Sequence, residues 1–144
     1  MLYHKDILPD DIDSIEWSHD NNLSSNNILL FGSKKEQVYK LCSLNDKFEL
    51  LSEMNLKKNF PNEKVKDVIS FNFLPGSNIA TACSNKLIIQ HYNDSFNEVK
   101  SDQIHEFSNP ITHFKLLENG TNNYIVYTSK YKNDDKEYFF NTQQ

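Results

Sequence analysis

Asn26-Asn27-Ile28-Leu29-Leu30-Phe31-Gly32-Ser33-Lys34 enters from a turn, runs through apolar and small residues, and leaves through a serine. The plan returns in Ser77-Asn78-Ile79-Ala80-Thr81-Ala82-Cys83-Ser84-Asn85 and in Asn122-Asn123-Tyr124-Ile125-Val126-Tyr127-Thr128-Ser129-Lys130, with successive copies 51 and 45 residues apart. Self-similarity at roughly 20–50 residues marks solenoids, propellers and arrays, in which one supersecondary unit stacks on the next. The chain is therefore read as repeated units before any single side chain is assigned a role.

Around each copy the apolar runs are short and rich in Ile, Val, Phe and Tyr. Asn, Asp, Ser, Gly or Pro break them every 8–12 residues, the pattern of an all-β chain. The first unit, 12–56, reads as four strands: Ile12 to Ser18, Asn27 to Gly32, Gln37 to Leu44 and Phe48 to Met54. After a polar connection from Lys57 to Glu63, the second unit, 64–107, repeats the set with Val65 to Phe73, Ile79 to Cys83, Lys86 to Tyr92 and a weaker Phe96 to Lys100. The third, 110–140, offers Ile111 to Leu117, Tyr124 to Thr128 and Glu137 to Phe140, without a fourth strand. Alternation in Ile69-Ser70-Phe71-Asn72-Phe73 puts apolar side chains on one face, whereas Leu87-Ile88-Ile89 suits a strand covered on both. The only candidate helix is Val99 to Phe107, where Val99, Gln103, Ile104 and Phe107 fall near a 3.6-residue period; a short strand or an irregular crossing fits it as well. Pro75-Gly76 and Asn119-Gly120 read as turns between first and second strands. Expected packing positions are Ile15, Trp17, Leu29, Phe31, Phe71, Phe73, Ile79, Ile88, Phe114, Leu116, Ile125 and Tyr127.

Four strands per unit of about 45 residues, with a small-residue exit after the second, resembles the blade of the WD40-type β-propeller, and the resemblance covers Ile12 to Phe140. Trp17-Ser18-His19-Asp20 is similar to the W-S-x-D run of divergent blades. Leu44-Asn45-Asp46 and Tyr92-Asn93-Asp94 stand where the family's third strand ends in an aromatic followed by Asp. The Gly-His signature and the Trp-Asp dipeptide are absent. The resemblance implies an all-β fold, a partial WD40-like β-propeller of consecutive four-stranded antiparallel blades forming one unit over 1–144. A closed ring takes at least about four blades, and this chain carries about two and three quarters. The expectation is a propeller fragment, or one completed by another chain or by self-association, with Met1 to Leu8 a candidate outer strand for a neighbouring blade.

With 38% hydrophobic and 12% aromatic residues, 144 residues suffice for a core. The net charge is −5 and all fifteen basic residues are lysines, so neither a basic face nor the arginine fork is present to hold a phosphate backbone; no nucleic-acid partner is expected. No apolar run approaches the roughly 18 residues that cross a bilayer, and Met1-Leu2-Tyr3-His4-Lys5-Asp6 does not resemble a signal peptide, so an intracellular chain, cytoplasmic or nuclear and without membrane insertion, is expected.

Cys42 and Cys83 lie 41 residues apart without C-x-x-C spacing and read as reduced core thiols. His4, His19, His91, His105 and His113 are scattered. Asp10-Asp11-Ile12-Asp13 with Glu16 could gather oxygens for calcium, but it has neither the glycine nor the distal Glu of an EF-hand loop and reads better as a solvated turn. Gly32, Gly76 and Gly120 build no phosphate loop, and no G-x-S-x-G elbow occurs. These residues give no catalytic group, metal site or cofactor site. The expected function is a non-enzymatic protein–protein interaction scaffold. The alternatives are a subunit of a membrane-trafficking or nuclear assembly whose partner completes the propeller, and an enzyme with its site on inter-blade loops. Tyr131, Tyr138, Phe139 and Phe140, clustered in the unfinished third unit, are the candidate partner surface.

Overall fold

The computed structural model describes residues 11–18, 28–44, 48–63, 65, 67–119, 122–131 and 134–141, with side chains as far as 115. Strands β1 (Ser14–Trp17), β2 (Ile28–Ser33), β3 (Val38–Leu44) and β4 (Phe48–Asn55) form sheet 1 in the order β1-β2-β3-β4. Sheet 2 repeats that order with β5 (Val68–Leu74), β6 (Asn78–Cys83), β7 (Lys86–Tyr92) and β8 (Val99–Glu106). Sheet 3 contains β9 (Ile111–Asn119), β10 (Asn122–Tyr131) and β11 (Asp134–Asn141), with β10 in the middle. Every neighbouring pair is antiparallel, so the chain is all-β, with each sheet a meander of sequential strands.

Where the sequence reading placed a polar connection, a short helix α1 (Leu56–Asn59) closes sheet 1. Asn55 Oδ1 accepts the Lys58 amide hydrogen at 3.1 Å, satisfying one of the helix's orphan donors. Leu56, fully buried, plugs the helix into the core.

Sheet 2 lies between the other two and uses opposite faces for them. Phe71, Phe73, Ile79 and Ile88 share one core with Ile28, Leu30, Tyr39 and Leu41 of sheet 1. Ala80, Ala82, Leu87 and Ile89 share a second with Ile111, against which Phe114 packs. The first strands of the sheets lie side by side, β1 against β5 and β5 against β9. At the first of these contacts Gly32 faces the Phe71 ring, and a Cβ there would collide with that ring and approach Ser14 Oγ to 2.5 Å. The glycine is required by this close approach.

One alternative left open is resolved, and two expectations are corrected. Val99 to Phe107 is not helical: Val99–Glu106 is edge strand β8, paired along its length with β7. Lys100 to Ile104 are all exposed, so the strand shows no alternation from which its period could be read. Phe96 does not begin that strand; it sits in the preceding loop, buried, at φ 57°. Ile15 and Trp17 do not pack inward: they are 62% and 51% exposed, because no described sheet lies across the face of β1 that carries them. Leu29, Phe31, Phe71, Phe73, Ile79 and Ile88 are buried as expected, and the side chains of Leu116, Ile125 and Tyr127 lie outside the described set.

The repeat also has a different internal alignment from the one its serines suggest. Ser33 is the last residue of β2 and pairs with Val38, whereas in sheet 2 the pair at the end of the ladder is Cys83 with Lys86. Ser33 therefore corresponds to Cys83, and Ser84 is already in the turn, at φ 50°. A one-residue slip exchanges the faces of a strand. In the structural alignment Leu29 takes the place of Ile79 and Leu30 that of Ala80.

Candidate functional site

The joint between sheets 1 and 2 holds a buried polar network. Tyr39 on β3 donates its hydroxyl hydrogen to Gln90 Oε1 on β7 at 2.5 Å. Its oxygen lies 2.8 Å from the Tyr92 hydroxyl. With the Tyr39 proton committed to Gln90, Tyr92 is the donor in that second bond. Gln90 Nε2 donates to Met54 Sδ at 3.1 Å. Burial raises the Tyr39 phenol well above its ordinary value, with Tyr92 adding to the effect, and desolvation lifts Tyr92 to about 12. Both stay neutral near pH 7, and leaving one member without its partner would cost about 1–3 kcal/mol of desolvation. These groups lock two sheets together.

The loop after β7 closes the same joint. Asn93 Oδ1 accepts the Asn97 amide at 3.1 Å, and the Phe96 amide bonds Asn93 O at 3.1 Å. The folded loop drives the Phe96 ring between Phe73 and Tyr92, with centroids 5.9 and 5.8 Å away. Ser52 Oγ of sheet 1 donates to Phe96 O at 3.0 Å.

Several of the described residues considered for chemistry are engaged in structure, and His4 and His19 lie outside the described residues. Asp13 Oδ2 accepts the Lys34 amide hydrogen at 2.8 Å. Glu16 reaches across to sheet 2, where Oε1 accepts from the Phe73 amide at 3.1 Å and Oε2 from Asn72 Nδ2 at 3.3 Å. Asp10 is outside the described residues. Cys42 and Cys83 are buried free thiols that desolvation pushes up to about 11, which disfavours the thiolate nucleophile. His91 Nδ1 lies 2.7 Å from Asn78 Oδ1, and burial lowers the His105 value. Among the described residues no group of three or more His, Cys, Asp or Glu side chains converges as metal ligands would. No described helix is long and apolar enough to cross a membrane.

Tyr131, Tyr138, Phe139 and Phe140 belong to the β10–β11 hairpin. Tyr138, Phe139 and Phe140 oppose Tyr127, Val126 and Ile125, and Tyr131 opposes Asp134 at the hairpin end. Successive strand residues alternate between faces, so Tyr138 and Phe140 share one that Phe139 does not. The side chains of all four lie outside the described set. The register places aromatic residues on the edge strand of sheet 3, whose other ladder edge meets no described strand.

The outward face of sheet 1 was not singled out by the sequence reading. Trp17, Leu29, Cys42 and Leu50 stand in one cross-strand row over all four strands. Leu29, Phe31 and Cys42 form a thin apolar layer with Ile12, Leu44 and Phe48 packed against it, and the Phe31 and Phe48 rings lie 5.9 Å apart. The ends of the row stay open, Trp17 half-exposed and Leu50 39% exposed. Lys40 and Glu53 on this face are 4.0 Å apart. The signal was in the sequence as Ile15-Glu16-Trp17, where apolar residues alternate around the Glu that turns toward sheet 2.

Comparison with family models, with curated proteins and with solved structures returns no match.

Proposed function

We propose that this chain is a non-enzymatic protein–protein interaction scaffold whose sheets are blades of a partial, WD40-like propeller. The observation that carries the reading is the stacking of sequential meanders through their first strands, β1 beside β5 beside β9. Blades around an axis stack in that way, each burying its faces on its neighbours. The side chains with chemical potential support a structural role, since Asp13 and Glu16 are backbone acceptors and both thiols are held protonated. Partners meet the scaffold at β11, where an edge strand offers ladder groups for strand addition and aromatic residues for contact.

Photo-cross-linking from position 138 in the intact protein, in cells of its source, tests this. Discrete adducts with another protein are expected from Tyr138, and none from Ser101 on the polar edge strand β8. Adducts absent at Tyr138, or equal at both positions, overturn the reading, as does turnover in a hydrolase screen.

A further inference from the structure

We infer that Met54 is a peroxide-sensitive latch on the joint between sheets 1 and 2, and that Asn59 covers its sulfur. Tyr39 and Met54 are register partners on β3 and β4, so their side chains stand next to each other on the core face of sheet 1. The Gln90 amide of sheet 2 bridges the pair: Oε1 accepts the Tyr39 hydroxyl hydrogen at 2.5 Å, and Nε2 donates to Met54 Sδ at 3.1 Å. A second amide reaches the same sulfur from α1, where Asn59 Nδ2 lies 3.2 Å from Sδ and 2.8 Å from Asn55 O. Two amide donors thus converge on one thioether, which is a weak acceptor. Tyr39 and Gln90 are sealed in the core whereas Asn59 is exposed, so the sulfur is nearest to solvent on the Asn59 side.

Hydrogen peroxide, a small neutral oxidant, suits a sulfur placed in this way. A sulfur lone pair attacks one peroxide oxygen, and the S–O bond forms as the O–O bond breaks. The departing hydroxide takes the proton of the transferred oxygen and leaves as water, so sulfur gives up two electrons and peroxide receives them. The sulfoxide oxygen is a stronger acceptor than the thioether, and Asn59, exposed at the end of α1, can turn to meet it. Gln90 cannot follow, because it is buried and its other end is held by Tyr39. Its N–H is left facing an electron-poor sulfur that no longer accepts, and a buried donor without an acceptor withdraws its support from the joint. The chain of hydroxyls from Tyr92 through Tyr39 to Gln90 then ties sheet 2 to β3 alone. The thiols do not compete for the oxidant, because peroxide reacts with the thiolate and burial pushes Cys42 and Cys83 up to about 11. Enzymatic reduction of the sulfoxide restores the thioether, so the latch is reversible.

The full chain contains two methionines, Met1 and Met54, so peptide mass spectrometry after peroxide treatment follows each separately, with Met1 as internal reference. Met54 is expected to gain one oxygen in the folded protein. Asn59→Ala, at an exposed position, should raise the Met54 rate several-fold relative to that of Met1. The oxidised protein should melt about 5 °C or more below the untreated one, and methionine sulfoxide reductases with a thiol reductant should restore it. Met54→Leu keeps the apolar volume without the oxidisable sulfur and should melt at one temperature with and without peroxide. Each variant is compared with its own untreated form, so a lower starting stability does not obscure the result. Met54 sulfoxide without a fall in melting temperature, a fall that persists in Met54→Leu, or a fall that the reductases do not reverse overturns the latch. A Met54 rate unchanged by Asn59→Ala overturns the cover.

Discussion

Phe96 concentrates the residue-scale physics of this fold. A bulky side chain at φ 57° is held in a region that favours glycine, and only a strongly stabilising contact keeps it there. Its contacts with Phe73 and Tyr92 and its near-complete burial offset the strain. Phe96→Ala keeps the unfavourable backbone and loses the ring, so it should cost about 3 kcal/mol, measured by urea unfolding. Nothing in Asn93-Asp94-Ser95-Phe96 announced this, because the anchor depends on a left-handed residue that sequence pattern does not encode. Titration acts at the same scale. Folding raises the Cys42 and Cys83 thiols from 9.0 to about 11 and Tyr92 from 10.0 to about 12, so the unfolded chain releases these protons first. Their contribution is intact below pH 9 and is lost as pH rises toward 12. The urea midpoint should fall as pH rises above 9 toward 12, and Cys42→Ala with Cys83→Ala should flatten the early part of that fall. A flat wild-type profile would contradict the assignment.

At the scale of elements, strand existence was legible and facing was not. Ile28 to Gly32, Gln37 to Leu44 and Lys86 to Tyr92 announced themselves through β-branched and aromatic runs bounded by turn residues. The serine that ended each copy was a misleading ruler, since the turns differ: Ser33 pairs with Val38 across four residues, and Cys83 with Lys86 across two. A residue gained or lost in a turn shifts every later position, and with it the face. The exposed apolar row on sheet 1 was hidden for this reason, while β8 was hidden because an edge strand wet on both faces has no period to detect. Gly32 marks where two sheets meet most closely. Gly32→Ala should force Phe71 and Ser14 apart and cost about 2 kcal/mol in thermal or urea unfolding, whereas Gly76→Ala, in an open turn at φ 81°, should act only through its backbone.

On the scale of the whole molecule, cores and connections divide the work. Two apolar cores bind sheet 2 to its neighbours, and the peptide running from sheet 2 into sheet 3 is fastened separately. The Phe107 amide donates to Asn85 O at 2.7 Å, Asn85 Nδ2 donates to Phe107 O at 2.9 Å, and the Ile111 amide donates to Ser84 O at 2.7 Å. The β6–β7 turn thus grips the connection on both sides of its exposed Ser108, so covalent continuity at that point is redundant. A protease site placed between Ser108 and Asn109 should yield two fragments that still migrate as one body without denaturant, and separation on cutting would show that the grip is too weak. The same redundancy makes the 108–109 peptide a place to open the chain anew: termini moved there would leave both cores and both ties intact, so the order in which the sheets are written along the chain is separable from the shape they make.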